Sequence, residues 1–423
     1  MKKLITLLAL GFCLNGRAQI ITTVAGDGFC CPFTSGGAAT ASNIYYPRGV
    51  AVDAMGNIFI AGGNAIQKVD AATGILITVA GTGTGGNNGD GGQATNAQLE
   101  PSDVAIDIHG NIYVADWYNK VIRKINTLGI ISSIASNQVA PNGIALDASN
   151  NIYTANDGNY IAKINTSGIV SHIAGISGFG YSGDGGPATA ATLNNPTGVA
   201  LDSKGNIYIA DNANNRVRMI NTSGIISTVA GNGNYLHNGD GGHATAASIW
   251  NPSDVSVDAT GNLFICSSGS SCIRMVNTLG IIFTIAGDTI YGYTGDGGPA
   301  TAAELEEPWG ITLDASGNLY IADVNGNCIR KVTNAAAAGI EQYNVNYEVN
   351  IYPNPNNGSF VIEPQNTLYN VHCTVYDVNG EAVLSQPING KTSIDASSLN
   401  EGVYNISLIS DEGVVNKRLV IVR

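Results

Sequence analysis

Positive charge is what this 423-residue chain has least of. Lys and Arg together number 19 against 32 Asp and Glu, giving a formal net charge of −13, and charged residues make up only 12% of the total. A chain so poor in basic groups is unsuited to bind nucleic acid or an anionic membrane surface. Histidine is also scarce. The five, His109, His172, His237, His243 and His372, are scattered, and only His237 and His243 share a loop. A metal or lyase centre needs several such groups converging from different parts of the fold, and no such set can be assembled from them. Long apolar runs are missing too: after the first 18 residues none approaches the roughly 18 needed to span a membrane. Glycine, in contrast, is abundant at 54 residues, while apolar residues hold at 44%. That combination points to many tight turns in a packed fold and not to disorder.

The glycines recur because the sequence repeats. Copies of one unit start at Ile20, Ile75, Ile130, Ile169, Ile225 and Ile281, and the third lacks the Gly-Asp-Gly-Gly loop that follows the start in others. A period of about 55 residues marks a solenoid, propeller or array, in which no unit buries its hydrophobic face alone. Within a unit the apolar pattern alternates with period two. Val199 to Leu201, Ile207 to Ala210, Val217 to Ile220 and Ile226 to Ala230 are short β-branched runs separated by Gly, Asn and Asp turns. Such runs form an antiparallel meander, and four strands per unit in six units predict an all-β, six-bladed β-propeller. The phase matters as well. The chain enters with a fourth-strand sequence, Ile20 to Ala25, and the last unit ends after a third strand, Ile329 to Val332. Pairing of these two segments would close the ring and remove its exposed edges.

Residues 1–18 fall outside the repeats. Met1-Lys2-Lys3, the apolar stretch Leu4 to Leu14 and Gly16-Arg17-Ala18 have the three parts of a signal peptide cleaved after Ala18. Loss of Lys2, Lys3 and Arg17 would take the net charge to −16. The propeller is expected over 19–334 and a linker over 335–345. Residues 346–423 then form a second domain. Seven alternating strands within it (Val349 to Tyr352, Ser359 to Ile362, His372 to Tyr376, Ala382 to Ser385, Ser393 to Asp395, Val403 to Leu408 and Val414 to Val422) predict a C-terminal immunoglobulin-like β-sandwich.

The unit's G-V-A-x-D-x-x-G-N-I-Y-I-A-D-x-x-N-N-R-V-R pattern resembles the NHL repeat over residues 20 to 332. The tail resembles the C-terminal sorting domain of the type IX secretion system of Bacteroidota. The likeness rests on Ile351-Tyr352-Pro353-Asn354-Pro355, Gly358-Ser359-Phe360, Val375 to Gly380, Leu399 to Tyr404 and the basic end Lys417-Arg418-Leu419-Val420. This resemblance implies a route through the periplasm and across the outer membrane, with the type IX machinery as one partner. In that family the tail is usually cleaved, and the cargo is released or attached at the cell surface. The cargo here is the propeller.

Candidate binding residues come from comparing the copies. The residues leading into the six first strands ring the channel mouth: Arg48, Asp103, Asn142, Thr197, Asp254 and Trp309 vary where their neighbours keep the repeat. Such a mixture is the composition of a small polar recognition site for an extracellular protein or glycan. Asp103 and Asp254, from the second and fifth copies, also leave open a carboxylate pair acting on an extracellular glycan or lactone. No cofactor is expected. The Gly-Asp-Gly-Gly loops give one Asp per copy (Asp90, Asp184, Asp240, Asp296), too few oxygens for calcium, and are read as turns. A further pattern is structural. Asp116 with Arg123, Asp211 with Arg218 and Asp323 with Arg330 occur together, whereas copies one and three lose both and copy five keeps only Arg274. Joint presence predicts an ion pair across each hairpin. Finally, Cys266 and Cys272 flank a turn and are placed to form a disulfide, as is Cys328 with Cys30 or Cys31, in a compartment that permits such bonds.

Overall fold

The computed structural model describes residues 19–29, 34–135, 140–176, 178–335, 349–364, 371–377, 382–410 and 413–422. The signal-peptide segment, Cys30, Cys31 and most of the linker lie outside these.

The period-two runs form six antiparallel sheets of four strands, the first with an added two-residue strand, Gly37–Ala38. Their inner strands are Gly49–Val52, Pro101–Ile106, Pro141–Leu146, Pro196–Leu201, Pro252–Val257 and Pro308–Leu313. Each inner strand packs on the next, and the last packs on the first. The apolar side chains are buried between sheets. Tyr113, Ala115 and Ile122 of the second sheet pack on Ile144, Ile152 and Ile164 of the third. Tyr320, Ala322 and Ile329 of the sixth pack on Val50, Ile58 and Ile60 of the first. A sheet removed from its neighbours would expose both of its faces, so cohesion is a property of the ring.

The ring closes as the repeat phase predicts. Ile21–Ala25 is the outer strand of the sixth sheet and pairs antiparallel with Cys328–Val332, Ile21 opposite Val332 and Thr23 opposite Arg330. Ile21 and Ala25 are fully buried.

Turn chemistry accounts for the hairpins between first and second strands. Asp202 Oδ1 accepts the N–H groups of Lys204 and Asn206 at 2.9 and 2.8 Å, and its Oδ2 accepts from the Asn206 amide at 2.7 Å. Asp53, Asp107, Asp147, Asp258 and Asp314 hold the same position with Asn57, Asn111, Asn151, Asn262 and Asn318. This is why an Asp-x-x-Gly-Asn or Asp-x-x-Asn-Asn motif ends every first strand. The glycine after an outer strand is equally constrained. Gly26, Gly81, Gly175, Gly231 and Gly287 have φ of +88° to +92°, and a Cβ on any of them would lie 2.2–2.4 Å from a backbone oxygen.

The tail forms two sheets. Val349–Tyr352, Ser359–Pro364 and Thr392–Asp395 make one; Ala382–Ile388, Val371–Tyr376, Gly402–Ser410 and Gly413–Ile421 make the other. Phe360, Ile362, Cys373, Val375, Ile394, Ile406 and Leu419 fill the space between them.

One expectation fails here. Cys266 and Cys272 are free, buried thiols. Cys266 lies opposite Ile273 and Ser267 opposite Cys272, so the two cysteines are one register step apart and point to opposite faces of the sheet. Cys328 is likewise a buried free thiol, and its expected partners are outside the described residues.

Candidate functional site

At the end of the ring where the expected mouth would lie, each inner strand starts with two consecutive residues that differ between the sheets. In the order of the ring the second of these reads Gly49, Asp103, Gly143, Gly198, Asp254, Gly310. Each aspartate reaches into the next sheet. Asp103 Oδ1 accepts from Val104 N at 2.8 Å and Oδ2 from Ile144 N at 2.9 Å; Asp254 does the same with Val255 N and Ile311 N, both at 2.8 Å. Glycine precedes each aspartate around the ring because a Cβ on Gly49 or Gly198 would meet Asp103 or Asp254 Oδ1 at 2.4 Å. Burial pushes the Asp103 carboxyl up to about 7. Burial also raises Asp254 well above the carboxylate range, and the charge of Asp103 raises it further.

The raised values set a pH dependence. Both groups hold a proton more tightly in the folded chain than in the unfolded one, where an Asp titrates near 3.9. The stability they contribute is therefore complete at low pH and falls as pH rises above about 4, through about 7 for Asp103 and in the same direction for Asp254. Asp254→Asn removes one of the two titrating groups. Its melting temperature relative to the parent is expected to shift upward between pH 5 and pH 8; a difference constant across that range would show that the pair does not titrate there.

The first of the two residues divides into two groups. Ser102, Thr197 and Ser253 donate their hydroxyls to Pro141 O, Pro252 O and Trp309 O of the following sheet, at 2.9, 3.3 and 2.7 Å. Thr197 is accordingly buried and faces the sheet junction, not an open mouth. Arg48, Asn142 and Trp309 remain partly exposed. The Arg48 guanidinium lies between two indoles, 5.7 Å from the ring centre of Trp309 and 5.8 Å from that of Trp117. Trp117 Nε1 donates to Asp157 Oδ2 at 2.9 Å, and Asn142 donates to the other oxygen of Asp157. Side chains of four of the six sheets, six, one, two and three, are thus linked in sequence. Among the described residues Arg48 has no carboxylate partner.

Beside Arg48 a cavity of about 260 Å³ opens between sheets one and two, lined by Tyr45, Tyr46, Glu100, Trp117 and Tyr118. Its lining includes Gly62-Gly63 of the second hairpin of sheet one, where the others read Asp116-Trp117, Asn156-Asp157, Asp211-Asn212, Ser267-Ser268 and Asp323-Val324; a Cβ on Gly62 would meet Tyr46 O at 2.5 Å, so the glycines let the Tyr45-Tyr46 segment pack close. Trp117 and the cavity tyrosines were not among the residues expected from the sequence. The unmatched Trp at a position that elsewhere holds Gly, Asp, Asn, Ser or Val was the available signal.

The hairpin ion pairs are present, but with a second carboxylate. Arg123, Arg218 and Arg330 lie 3.4, 3.4 and 4.0 Å from Asp116, Asp211 and Asp323, with all six side chains fully buried. Each arginine also binds the aspartate of its Gly-Asp-Gly-Gly loop: Arg123 to Asp90 at 2.7 Å, Arg218 to Asp184 at 2.6 Å and Arg330 to Asp296 at 2.8 Å. Arg274 pairs with Asp240, which explains why copy five keeps its arginine opposite Ser267. The loop aspartates are therefore ion-pair partners and not merely turn residues. Desolvation still dominates at the inner carboxylates, lifting Asp211 to about 6 and Asp323 to about 7 despite hydrogen bonds and the arginine charge.

Among the described residues no three His, Cys, Asp or Glu side chains converge as a metal site, and no helix is long and apolar enough to cross a membrane.

With a ring of β-meander sheets, an asymmetric mouth and a two-sheet tail in place, the comparisons define the class. Residues 305–332 match the family model of the NHL repeat, and residues 17–85 and 179–238 match that of the teneurin NHL domain. Residues 350–422 match the secretion system C-terminal sorting domain. The chain is thus an NHL-repeat β-propeller followed by a sorting domain, which supports export to the cell surface or beyond. Among curated relatives it is 29% identical to human teneurin-4 over 60% of its length and 27% identical to zebrafish teneurin-3 over 79%. It spans about a tenth of those much longer proteins, 9% and 11% respectively. Two solved structures share the fold. A Bacteroides thetaiotaomicron protein of unknown function has a TM-score of 0.61 at 18% identity, covering 75% of this chain and 76% of that one. An auxiliary nutrient binding protein from Bacteroides ovatus has a TM-score of 0.58 at 17% identity over the same shares.

Proposed function

We propose that this chain is an exported recognition module whose six sheets are the blades of a six-bladed propeller over 19–334, delivered by an immunoglobulin-like tail over 346–423. A signal peptide over 1–18 starts the route, and the type IX machinery completes it through the tail. The ligand is an extracellular glycan or protein, bound at the mouth between blades six, one and two. The observation that carries this reading is Arg48, held between the faces of Trp117 and Trp309 beside an aromatic cavity and free of any carboxylate partner among the described residues. A guanidinium positioned in this way loses little freedom when it meets an acceptor on a ligand, and the tyrosines offer faces for a sugar ring or an apolar side chain. The name of the Bacteroides ovatus structure, a nutrient binding protein, agrees with a binding role.

The alternative, a hydrolase or lyase acting on an extracellular glycan or lactone, has less support. Its carboxylates would be Asp103 and Asp254, and all four of their oxygens already accept backbone N–H groups.

The test is a glycan and protein binding screen on the full exported chain, followed by titration of the Arg48→Ala/Trp309→Ala variant against the best ligand. Loss of at least about a hundredfold in affinity is expected, since Trp and Arg at a shielded centre typically contribute 2 kcal/mol or more each. Undiminished binding by a folded double variant would end the proposal.

A further inference from the structure

The loops that lead into the blades also cover their outer edges, with one exception. In blade two Gly91 N donates to Ile131 O at 2.8 Å and Ile131 N donates to Gly92 O at 3.1 Å. The same two bonds recur at Ile226, Ile282 and Ile21 in blades four, five and six. The loop aspartate adds a third in three of these blades. Ser133 N, Thr284 N and Thr23 N donate to Oδ2 of Asp90, Asp240 and Asp296 at 3.1, 3.0 and 2.9 Å. In blade one the strand Gly37–Ala38 pairs with Leu76 and Ile75 and does the same work.

Among the described residues blade three has no such cover. Only residues 136–140 separate its inner strand, Pro141–Leu146, from the outer strand of blade two. Its own outer strand, Val170–Ala174, pairs with Tyr160–Ile164 on one side. On the other side Val170 N–H, Val170 C=O and His172 N–H are the counterparts of the three groups bonded elsewhere, and among the described residues they have no partner. Ala162 replaces the arginine that anchors the loop in blades two, four, five and six. His172 stands where those blades have Ser or Thr. Its imidazole is exposed and stacks on Tyr160 with ring centres 4.0 Å apart, beside the place a loop carboxylate takes in the other blades. The strand itself, Val-Ser-His-Ile-Ala, has neither the Lys nor the Pro that commonly blocks an open edge.

We infer that the outer edge of blade three is a docking strand for an extended segment of a partner protein that carries an acidic residue between glycines. The segment's backbone would bond Val170 on both its groups, and its carboxylate would accept from the His172 N–H and imidazole. Strand addition of this kind takes its affinity from main-chain bonds and its selectivity from side chains at alternate positions. The required chemistry is what the fold already uses on its other blades. The inference is independent of the ligand at the mouth.

Amide hydrogen exchange on the full exported chain tests it, with a synthetic peptide of residues 180–190, Gly-Tyr-Ser-Gly-Asp-Gly-Gly-Pro-Ala-Thr-Ala, as the probe. Without peptide, the Val170 and His172 amides are expected to exchange at least about tenfold faster than those of Ile131 and Ser133, as open edges do. Millimolar peptide should slow both, a peptide with Asn in place of its Asp should slow them less, and His172→Ala should weaken the effect while leaving exchange elsewhere unchanged. Three results would overturn the inference. One is slow exchange at Val170 in the free monomer, which would mean that the chain covers its own edge. Another is protection that grows with protein concentration alone, which would assign the edge to a second copy. The third is no response to peptide.

Discussion

Deleting residues 19–26 is expected to destabilise the ring and broaden its unfolding. The deletion removes a complete strand, two fully buried side chains, Ile21 and Ala25, and the Thr23 N–H that Asp296 holds. It leaves Cys328–Val332 as an open edge and uncovers apolar surface that blade six shares with blade five, around Ile21, and with blade one, around Ala25. Burial of that apolar surface together with the ladder hydrogen bonds contributes on the order of 5 kcal/mol, comparable with the whole stability of many domains. A broadened, lower melting transition with aggregation is the anticipated outcome in scanning calorimetry and light scattering. A truncated chain that melts as sharply as the parent, within a few degrees, would show that closure lies elsewhere.

Replacing one buried arginine should be nearly as damaging. Arg218→Ala leaves Asp211 fully buried without its cation and Asp184 without its anchor, and opens a cavity between blade and loop. Removing one partner from a buried pair typically costs about 3–5 kcal/mol. Urea unfolding measures this directly, and a loss below about 1 kcal/mol would mean that the arginine is dispensable. A double-mutant cycle separates its two partners. Coupling of Arg218 to Asp184, at 2.6 Å, is expected to exceed that to Asp211, at 3.4 Å, because the inner aspartate also accepts from Asn194 N and the Asn214 amide.

These arginines show how far the sequence could be read. The joint presence of Asp211 and Arg218 pointed to a hairpin pair, and the pair is there. The closer partner was missed because Asp184 lies 34 residues away inside a motif that already had an adequate explanation as a turn. Yet copy five held the clue, since Arg274 survives beside Ser267 only where a Gly-Asp-Gly-Gly loop is also present. Strands and ring closure were legible because alternation and repeat phase are local signals. Pairing parity was not, and so Cys266 and Cys272 were joined by proximity along the chain while facing apart in the sheet. The mouth was legible in part. Arg48 and Trp309 stood out by breaking the repeat, but the walls of the cavity beside Arg48 come from four separated segments, around Tyr45, Gly62, Glu100 and Trp117, which no local pattern joins.

Closure by the first strand has a consequence for the order of events during synthesis. The ring's opening strand is among the first parts made, its pairing partner Cys328–Val332 is the last part of the propeller, and the sorting domain follows directly. A chain interrupted anywhere before its tail has no address, whatever its ring has achieved. A chain that carries the tail already contains every residue its ring requires. On the proposed route, placing the address last would open export only to chains long enough to have closed.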